Sequence, residues 1–431
     1  MRLDERLGWW RLKVSLRWNR RFGLNVWLLM ANTFFVFTGM GIFVLIFNLY
    51  LASLGFREDY IGLFAFANTA AIGGFAIPAG ALSNRFGPGA CLAGASILMG
   101  VAAAAVGLVD DPVLIVVGGV VLGISNALIF VPSSPFLMDN SDDDERLWVF
   151  SANFAVMSVA SVLGSLASGY LPSVFAALGG LEAAQSTPVY RLTLVTGAFV
   201  CLLGAAPMVF VRANQRRVPD GRRPAPAVMA LGEAEARRAI VAFSVAVVLI
   251  AFATGLILPF FNVYFAEHLA ASVEEIGIIY AAASLLMVPC SLLGPAVSRR
   301  FGTVSGIAIA RALTIPFIIS LAVVPSIGLG AVVYVARAAL MSVTWPLDNA
   351  FAMELMPPRA RAIQAGVRSA SWNVGWAVAS LVAGQLIVLV GYPAVFVASG
   401  LLTLAGTIYH YGAFREYQTR PAGAAARVAE S

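Results

Sequence analysis

Charged side chains inside the long apolar runs of this sequence are the groups most able to do chemistry. In the second half of the chain these are Arg311, Arg337, Asp348 and Arg368. Placing a charge in hydrocarbon costs at least about 2.5–3.5 kcal/mol on insertion scales, so each of the four needs a partner or a function. The apolar runs of the first half carry neutral polar groups instead, among them Asn32, Asn48, Asn126 and Asn153.

Asp348 and Arg368 are predicted to meet. Asp348 lies about seven residues before the end of one apolar run, and Arg368 about seven residues after the start of the next, with a short loop between them. The two helices are therefore antiparallel neighbours that carry these side chains at one depth. Two interpretations stay open. The pair locks the helices or forms an inner gate, or Asp348 carries a proton or another cation.

Arg337 shares one helical stripe with Met341, Trp345 and Asp348, but Asp348 lies about 16 Å away along the helix axis. No carboxylate lies at the depth of Arg337, and an unpartnered buried cation attracts an anion. A guanidinium fork beside apolar and aromatic area suits a solute with a carboxylate on a modest hydrophobic body. In the alternative, Arg337 bonds helix carbonyls or polar side chains.

A second stripe, on the next predicted helix, holds Arg368, Trp372 and Trp376. Tryptophans at this depth lie away from the usual interfacial belts, which favours lining a cavity over facing lipid. The predicted solute contacts are Arg337, Met341, Trp345, Trp372, Trp376, Asn126 and Asn32.

Two segments near the outer ends of predicted helices repeat each other. Asn48 and Tyr50 lie in IFNLYL, whereas Asn262 and Tyr264 lie in FFNVYF. These residues form an outer gate, or their polar groups bond to one another and to the lipid headgroups. The sequence favours neither interpretation.

The elements that position these groups follow from composition. Hydrophobic residues make up 60% of the 431 residues, charged residues 12%, and the mean hydropathy is +0.86. Soluble domains carry about twice that charged fraction. Twelve apolar runs approach the roughly 20 helical residues that cross hydrocarbon. They are 24–51, 60–82, 90–109, 113–137, 147–171, 191–211, 238–265, 275–297, 304–325, 328–355, 362–390 and 392–413.

The distribution of charge predicts the orientation. Of the 28 Lys and Arg residues, 23 fall in the N-terminal arm, the middle linker, the tail and the loops on the same side, and two fall on the opposite side. By the positive-inside rule both termini are cytoplasmic, in a multi-pass protein of the plasma membrane. The net charge of +6 therefore reflects topology, and we expect the lipid bilayer, not nucleic acid, as the partner of a monomer.

Cofactor and enzyme chemistry are not indicated. Cys91, Cys201 and Cys290 are isolated in apolar runs, and His268 and His410 lack the neighbours of a metal site or a nucleophile triad. The sequence has no glycine-rich phosphate loop. We therefore expect no cofactor, no metal and no enzymatic activity.

Loop motifs also recur, about half a chain length apart. The segment from Gly80 to Gly87 returns as Gly294 to Gly302, and an acidic residue separated from an arginine by six residues occurs twice. The motif residues are Gly80, Asn84, Arg85, Gly87, Asp139, Arg146, Arg300, Gly302, Glu354 and Arg361. They resemble the loop signatures of the major facilitator superfamily. The resemblance implies two pseudo-symmetric six-helix bundles that rock about a midplane site.

The chain departs from the family pattern in the first loop. Asn84 stands where the family has a carboxylate, and Pro88 and Gly89 stand where it has paired basic residues. The resemblance implies that this carboxylate helps to hold the outward-facing state. Asn84 is able to cap a helix but not to form the ion pair. The Gly-Pro signature of drug/proton antiporters is also missing from residues 161–169, which disfavours that activity.

We predict an all-α membrane protein with twelve transmembrane helices. Its regions are a cytoplasmic amphipathic interfacial helix (1–23), an N-terminal six-helix bundle (24–211), a cytoplasmic linker (212–237), a C-terminal six-helix bundle (238–415) and a cytoplasmic tail (416–431). The expected function is secondary active transport of a small organic solute, anionic if Arg337 anchors it and proton-coupled if Asp348 carries charge. The alternatives are a multidrug/proton antiporter that exports amphipathic compounds and, from another class, a lipid-moving protein or membrane sensor on this fold.

Overall fold

The computed structural model describes residues 22–141, 143–179, 185–211 and 233–418. These residues are almost entirely helical, and eleven helices are long and apolar enough to cross a membrane. The longest, Pro358–Gln418, contains two spans, because Gly391 has non-helical φ and ψ of 80° and 170°. The described residues therefore form twelve spans, which confirms the predicted fold class.

The spans divide into two halves of six. Spans 1 to 6 run over Leu24–Ser53, Glu58–Phe86, Pro88–Leu108, Pro112–Asp139, Asp143–Gly179 and Thr187–Leu203, the last continued by Ala205–Val209. Spans 7 to 12 run over Glu233–Gly255 with Phe261–His268, Val273–Ser291 with Gly294–Phe301, Thr303–Ser320, Ile327–Leu355, 358–390 and 392–418.

The ends of the second half differ from the predicted boundaries. The helix of span 7 begins at Glu233, inside the predicted linker, and span 12 continues to Gln418, past the predicted start of the tail. Span 7 is also interrupted before a 3-10 turn at Leu258–Phe260, where Pro259 has no amide hydrogen to donate. The predicted interfacial helix over 1–23, most of the linker and most of the tail lie outside the described residues.

Loop side chains fix where two of the spans begin. Asp111 accepts hydrogen bonds from the backbone amides of Val113 and Leu114 at the start of span 4. Ser272 and Glu275 form a capping box at the start of span 8. These side chains satisfy amides that a helix N-terminus leaves without partners.

The repeated loops after spans 2 and 8 have the same backbone geometry. Gly87 and Gly302 have φ of 85° and 82°, a region that glycine adopts readily and other residues rarely. Arg85 and Arg300 each lie over the ring of the phenylalanine that follows, at 5.2 and 5.6 Å from the ring centroid. The sequence repeat therefore corresponds to a structural repeat.

Asn84 does not take the capping role that the sequence allowed. Its side chain is exposed, and within the described residues no side chain caps the N-terminus of span 3, where Gly87 is the capping position. Gly80, one turn earlier in span 2, lies near Val131 of span 4. The departure from the family pattern thus leaves this loop without a polar cap.

The two acidic–arginine pairs lie where spans 4, 5, 10 and 11 begin or end. Asp139 is the last residue of span 4, and Arg146 lies in the first turn of span 5. Glu354 is exposed, whereas Arg361 donates through Nε to two carbonyl oxygens at the end of span 10, at 3.1 and 3.3 Å. Arg361 thereby satisfies carbonyls that a helix C-terminus leaves free.

The two ends of the bundle differ in charge. We call the end that carries Glu58, Asp110, Asp111, Glu267 and Glu274 the acidic face, and the end that carries Arg85, Arg146, Arg300 and Arg361 the basic face.

The halves pack closely near the acidic face. A Cβ atom added to Gly277 of span 8 would lie 2.7 Å from the carbonyl oxygen of Ser165 and 2.8 Å from Cα of Gly169, both in span 5. Gly62 of span 2 packs in the same way on the backbone of Ser380 in span 11. Glycine permits these helix backbones to approach more closely than any side chain would allow.

Toward the basic face the halves separate. The packing of span 2 on span 11 extends to Gly73, about halfway along span 2, where an added Cβ would lie 3.1 Å from Cβ of Asn373. Closer to the basic face, Asn349 is exposed, and Trp345 and Ile77 are 52% and 86% exposed. Among the described residues, the space between the halves is therefore closed at the acidic face and open at the basic face.

Replacing Gly277 with valine is expected to prevent closure of the acidic face, because the new side chain overlaps the backbone of span 5. Overpacking of this kind costs the closed state about 1–3 kcal/mol. In a protein without native cysteines, a reporter introduced by Ala65→Cys between the halves should become reactive toward an impermeant thiol reagent added at the acidic face.

The matched control is Gly328→Val, since Gly328 is exposed at the same face and an added Cβ meets nothing within 4 Å. That protein should keep the reporter protected. Equal rates of thiol modification in the Gly277→Val and Gly328→Val proteins would contradict the claim that glycine contacts close the acidic face.

Candidate functional site

A cavity of about 340 Å³ lies between the halves, next to the contacts that close the acidic face. Its volume falls within the range of about 300–1,000 Å³ that is typical of ligand sites. Spans 1, 2, 3, 4 and 6 supply most of its wall, and spans 7, 8 and 11 supply the remainder.

The wall combines aromatic side chains with neutral polar groups. The aromatic residues include Phe43, Phe47, Phe64 and Trp376, and the polar residues are Asn48, Asn68, Thr69, Asn126, Asn262 and Tyr280. None of the described residues that line the cavity carries a formal charge. The cavity therefore suits an apolar body that presents a few hydrogen-bonding groups.

Asn126 lines this wall and carries an unpaired acceptor just behind it. Its Oδ1 atom is buried and has no hydrogen-bond partner among the described residues. An unsatisfied buried acceptor costs about 1–3 kcal/mol, which a donor on a bound solute would recover if the amide turned toward the cavity. Of the seven predicted solute contacts, Asn126 and Trp376 line this cavity.

Asn48 and Asn262 bond across the halves above the cavity. Asn48 donates through Nδ2 to the carbonyl oxygen of Pro259 at 2.5 Å and to Oδ1 of Asn262 at 3.3 Å. Asn262 donates through Nδ2 to the carbonyl oxygen of Leu45 at 2.8 Å. The two asparagines thus satisfy each other and join spans 1 and 7, and the gating role predicted for them stays a prediction.

Tyr50 and Tyr264 each bond within their own half, and the gating role predicted for them stays a prediction. The hydroxyl of Tyr50 donates to the carbonyl oxygen of Val109, at 3.3 Å, in its own half. The hydroxyl of Tyr264 donates to the carbonyl oxygen of Leu321, at 2.7 Å, in the other half. Each tyrosine bonds the first span of its half to the end of the third span. The repeated sequence therefore forms the same contact in both halves.

Arg337 lies outside the wall of this cavity, and the solute contact predicted for it stays a prediction. Its side chain is 5% exposed, and its guanidinium lies over the rings of Phe261 and Tyr334, at 5.2 and 5.4 Å from their centroids. Its Nε atom has no hydrogen-bond partner within the described residues. Met341, on the same stripe, is also absent from the wall.

The three predicted tryptophans form a ladder from the cavity toward the basic face. The ring of Trp376 lies 5.8 Å from that of Trp372, which lies 5.0 Å from that of Trp345 across spans 10 and 11. Trp376 lines the cavity, whereas Trp345 is 52% exposed. The ladder therefore begins at the cavity and extends outside it.

Asn32, predicted as a solute contact, is buried inside the first half and does not line this cavity. It donates through Nδ2 to Oγ of Ser96 at 2.8 Å and to the carbonyl oxygen of Gly204 at 2.7 Å. The side chain is 1% exposed and joins spans 1, 3 and 6 inside the first half. Its donors are used within the protein, so they are not available to a solute.

The second half contains a buried ionic cluster around Asp348. Arg368 donates through Nη2 to Oδ2 of Asp348 at 2.8 Å, which is the predicted pair. Arg311 Nη2 lies 3.3 Å from the same oxygen, and His410 Nε2 lies 3.3 Å from Oδ1. Arg368 also donates through Nη1 to Oδ1 of Asn349 at 2.7 Å. One carboxylate thus connects spans 9, 10, 11 and 12.

Arg311 and His410 are the partners that sequence reasoning missed. His410 is 1% exposed and Arg311 5% exposed, so both are as buried as Asp348. All four members lie about seven to ten residues from the basic-face end of their spans, about 10–15 Å along the helix axis. This shared depth was present in the sequence and was the signal that could have found them.

Comparison with known proteins places this arrangement in a family. The family model described as Major Facilitator Superfamily matches residues 29–366 and 243–429. The chain belongs to the Major Facilitator Superfamily. No curated protein matches the sequence. Family membership points to a transporter rather than an enzyme.

Solved structures of other superfamily members share the fold. A bacterial homolog of the human lysosomal transporter Spinster, in an inward-facing and occupied conformation, has a TM-score of 0.73 at 15% identity, covering 92% of this chain and 98% of that one. The nucleoside transporter NupG has a TM-score of 0.70 at 13% identity, covering 91% and 99%. At these identities the likeness concerns the fold alone.

For this superfamily member, we expect Asp348→Asn to be more destabilising than Arg368→Gln. Loss of the carboxylate leaves two buried guanidinium groups facing each other, and breaking a buried ion pair in this way costs about 3–5 kcal/mol. Loss of Arg368 leaves Asp348 with Arg311 and His410. In detergent, the melting temperature should therefore be highest for the parent protein, lower for Arg368→Gln and lowest for Asp348→Asn.

Glu354→Gln is the matched control, because Glu354 lies on the same span and is exposed. It should unfold within about 0.5 kcal/mol of the parent. If Asp348→Asn were as stable as that control, the cluster would not hold the four spans together.

Proposed function

We propose that this protein is a secondary active transporter that moves a small organic solute by alternating access. The observation that carries the proposal is a ligand-sized cavity between two pseudo-symmetric halves, closed at one face and open at the other. Family membership supports it. A solute that enters at the open face is released when the halves rock about the cavity and the closed face opens.

The solute is a small, largely apolar molecule with one or two hydrogen-bonding groups. The lining supports this class, because it offers aromatic area, the unpaired Oδ1 of Asn126 and the side chains of Asn68 and Thr69. The anionic solute expected from Arg337 loses its direct anchor, since that guanidinium lies outside the wall. A sugar would need more hydrogen-bonding groups than this wall provides.

Proton coupling through Asp348 has little support from its surroundings. Two guanidinium groups and an imidazole lie within 3.3 Å of its carboxylate oxygens, and all belong to the same half. Rocking of one half against the other leaves such contacts in place. No carboxylate lies among the described residues of the wall, so a co-transported proton would need a group elsewhere.

In the proposed orientation the basic face is cytoplasmic, with both termini on that side of the plasma membrane. The positive-inside rule supports this assignment. The structure would then represent an inward-facing state. An impermeant label added outside cells should react with a thiol introduced by Asp111→Cys and not with one introduced by Asn84→Cys, and the reverse pattern would overturn the orientation.

Export of amphipathic compounds is a second candidate function. The aromatic wall formed by Phe43, Phe47, Phe64 and Trp376 favours it, because such surfaces accept varied apolar bodies. The missing antiporter signature and the absence of a carboxylate among the described wall residues favour a more selective transporter.

A ligand screen tests the proposed solute class. Matched neutral, anionic and cationic metabolites should be compared for their effect on the melting temperature of the purified protein, because a ligand of the native state stabilises it by mass action. We expect neutral, largely apolar compounds to raise it. Asn126→Leu and Thr69→Val should each weaken binding by about 1–3 kcal/mol through lost hydrogen bonds.

Thr196→Val is the matched control, because Thr196 bonds its own helix at 2.8 Å and does not line the cavity. A hit should then be taken up by proteoliposomes of the parent protein and of this control. If both cavity variants bound and transported the hit like the control, the solute would not occupy this cavity.

A further inference from the structure

Among the described residues, Arg337 combines deep burial with the lack of an anionic partner. It is 5% exposed, and no salt bridge within the described part of the chain includes it. Its nearest charged neighbour on the same helix face, Asp348, lies about 16 Å away along the axis and is already surrounded by other cations. The positive charge of Arg337 therefore remains uncompensated inside the second half.

Aromatic rings accommodate this cation without neutralising it. The guanidinium lies 5.2 Å from the ring centroid of Phe261 and 5.4 Å from that of Tyr334. Such contacts offset part of the desolvation cost through the ring quadrupole. A quadrupole carries no net charge, so the field of the cation still extends beyond the rings.

A stack of rings connects Arg337 with the cavity. The ring of Tyr334 lies 5.3 Å from that of Tyr280, with an interplanar angle of 24°. Tyr280 forms part of the cavity wall. From these ring distances the guanidinium is at most about 11 Å from the ring of Tyr280, a range over which charges interact strongly in a weakly polar interior.

We propose that Arg337 gives the cavity a positive potential that excludes cations and favours neutral and anionic solutes. The residue acts from behind the wall, as a determinant of specificity that does not touch the solute. The inference rests on the proposed function, because it assumes that this cavity is the solute site. It also explains how a lining without formal charges discriminates between charged solutes.

The expected size of the effect follows from Coulomb's law. Beside the ring of Tyr280, at most about 11 Å away, and at an effective dielectric constant of about 20, a unit charge changes the occupancy of a monovalent cation by roughly tenfold, and this factor falls toward the opposite wall. Anions are favoured by a similar factor, so the ratio of the two changes by about a hundredfold. Glu274 of the acidic face is hydrogen-bonded to Ser173 within the closing contact, so its charge is the same in every variant compared below.

Thiol modification measures this potential without knowledge of the solute. In a protein that lacks Cys91, Cys201 and Cys290, Thr69→Cys places one thiol in the cavity wall. Its reaction rates with anionic methanethiosulfonate ethylsulfonate and cationic methanethiosulfonate ethyltrimethylammonium are divided by the rates for free 2-mercaptoethanol. We expect the normalised anion-to-cation ratio to be well above one.

Arg337→Gln should lower this ratio severalfold, and at most by the roughly hundredfold change expected beside Tyr280, whereas Arg337→Lys should largely retain it because the charge remains. Arg85→Gln is the matched control, since Arg85 is exposed at the basic face, and it should leave the ratio unchanged. An unchanged ratio in folded Arg337→Gln protein would overturn the proposal.

The protein that carries Thr69→Cys and retains Arg337 provides a test that does not depend on the folding of a variant at Arg337. A normalised ratio near one at the introduced thiol would also overturn the proposal. Both measurements need neither a solute nor transport. A high ratio in a protein that transports nothing would reject the proposed function alone, and a ratio near one in an active transporter would reject this inference alone.

Discussion

We propose that the hydrogen bonds of Asn48 and Asn262, to each other and to helix carbonyls of the opposite half, help to hold the acidic face closed. Both side chains are neutral. Such bonds contribute only about 0.5–1.5 kcal/mol each, because water replaces either partner readily. Around them, glycine contacts such as Gly169 with Gly277 exclude water without interlocking side chains. A closure of this kind seals the face and still opens at modest cost, as alternating access requires.

The two halves are held together internally by different chemistry. In the second half Asp348 joins four spans through charged and imidazole partners, which makes separation of those spans costly. In the first half Asn32 joins spans 1, 3 and 6 through neutral bonds. Most of the cavity wall belongs to this first half, with neutral groups such as Asn126. Charged groups therefore hold the spans of the second half together, and the charge of Arg337 acts on the cavity from a distance. The groups that face the solute are neutral.

Sequence reasoning succeeded where position along a helix decides the outcome. The depths of Asp348 and Arg368 and the short loop between their helices determined that pair, and the repeat located the loop glycines. It failed where the rotation of a helix or the packing order of distant helices decides. Arg337 has the predicted depth, but span 10 turns it toward Tyr334 and Phe261. The depth of His410 matches that of Asp348, but their contact also requires span 12 to pack near span 10, which no local pattern specifies.

The central claim is that the acidic and basic faces open alternately around one cavity. The most direct measurement is the distance between spin labels placed in pairs across each face, in the same preparation of proteoliposomes, by double electron–electron resonance. The account predicts two populations in which a short distance at the acidic face accompanies a long distance at the basic face, and the reverse, with a bound solute changing their proportions. Distances that vary independently at the two faces, or that do not vary at all, would contradict it.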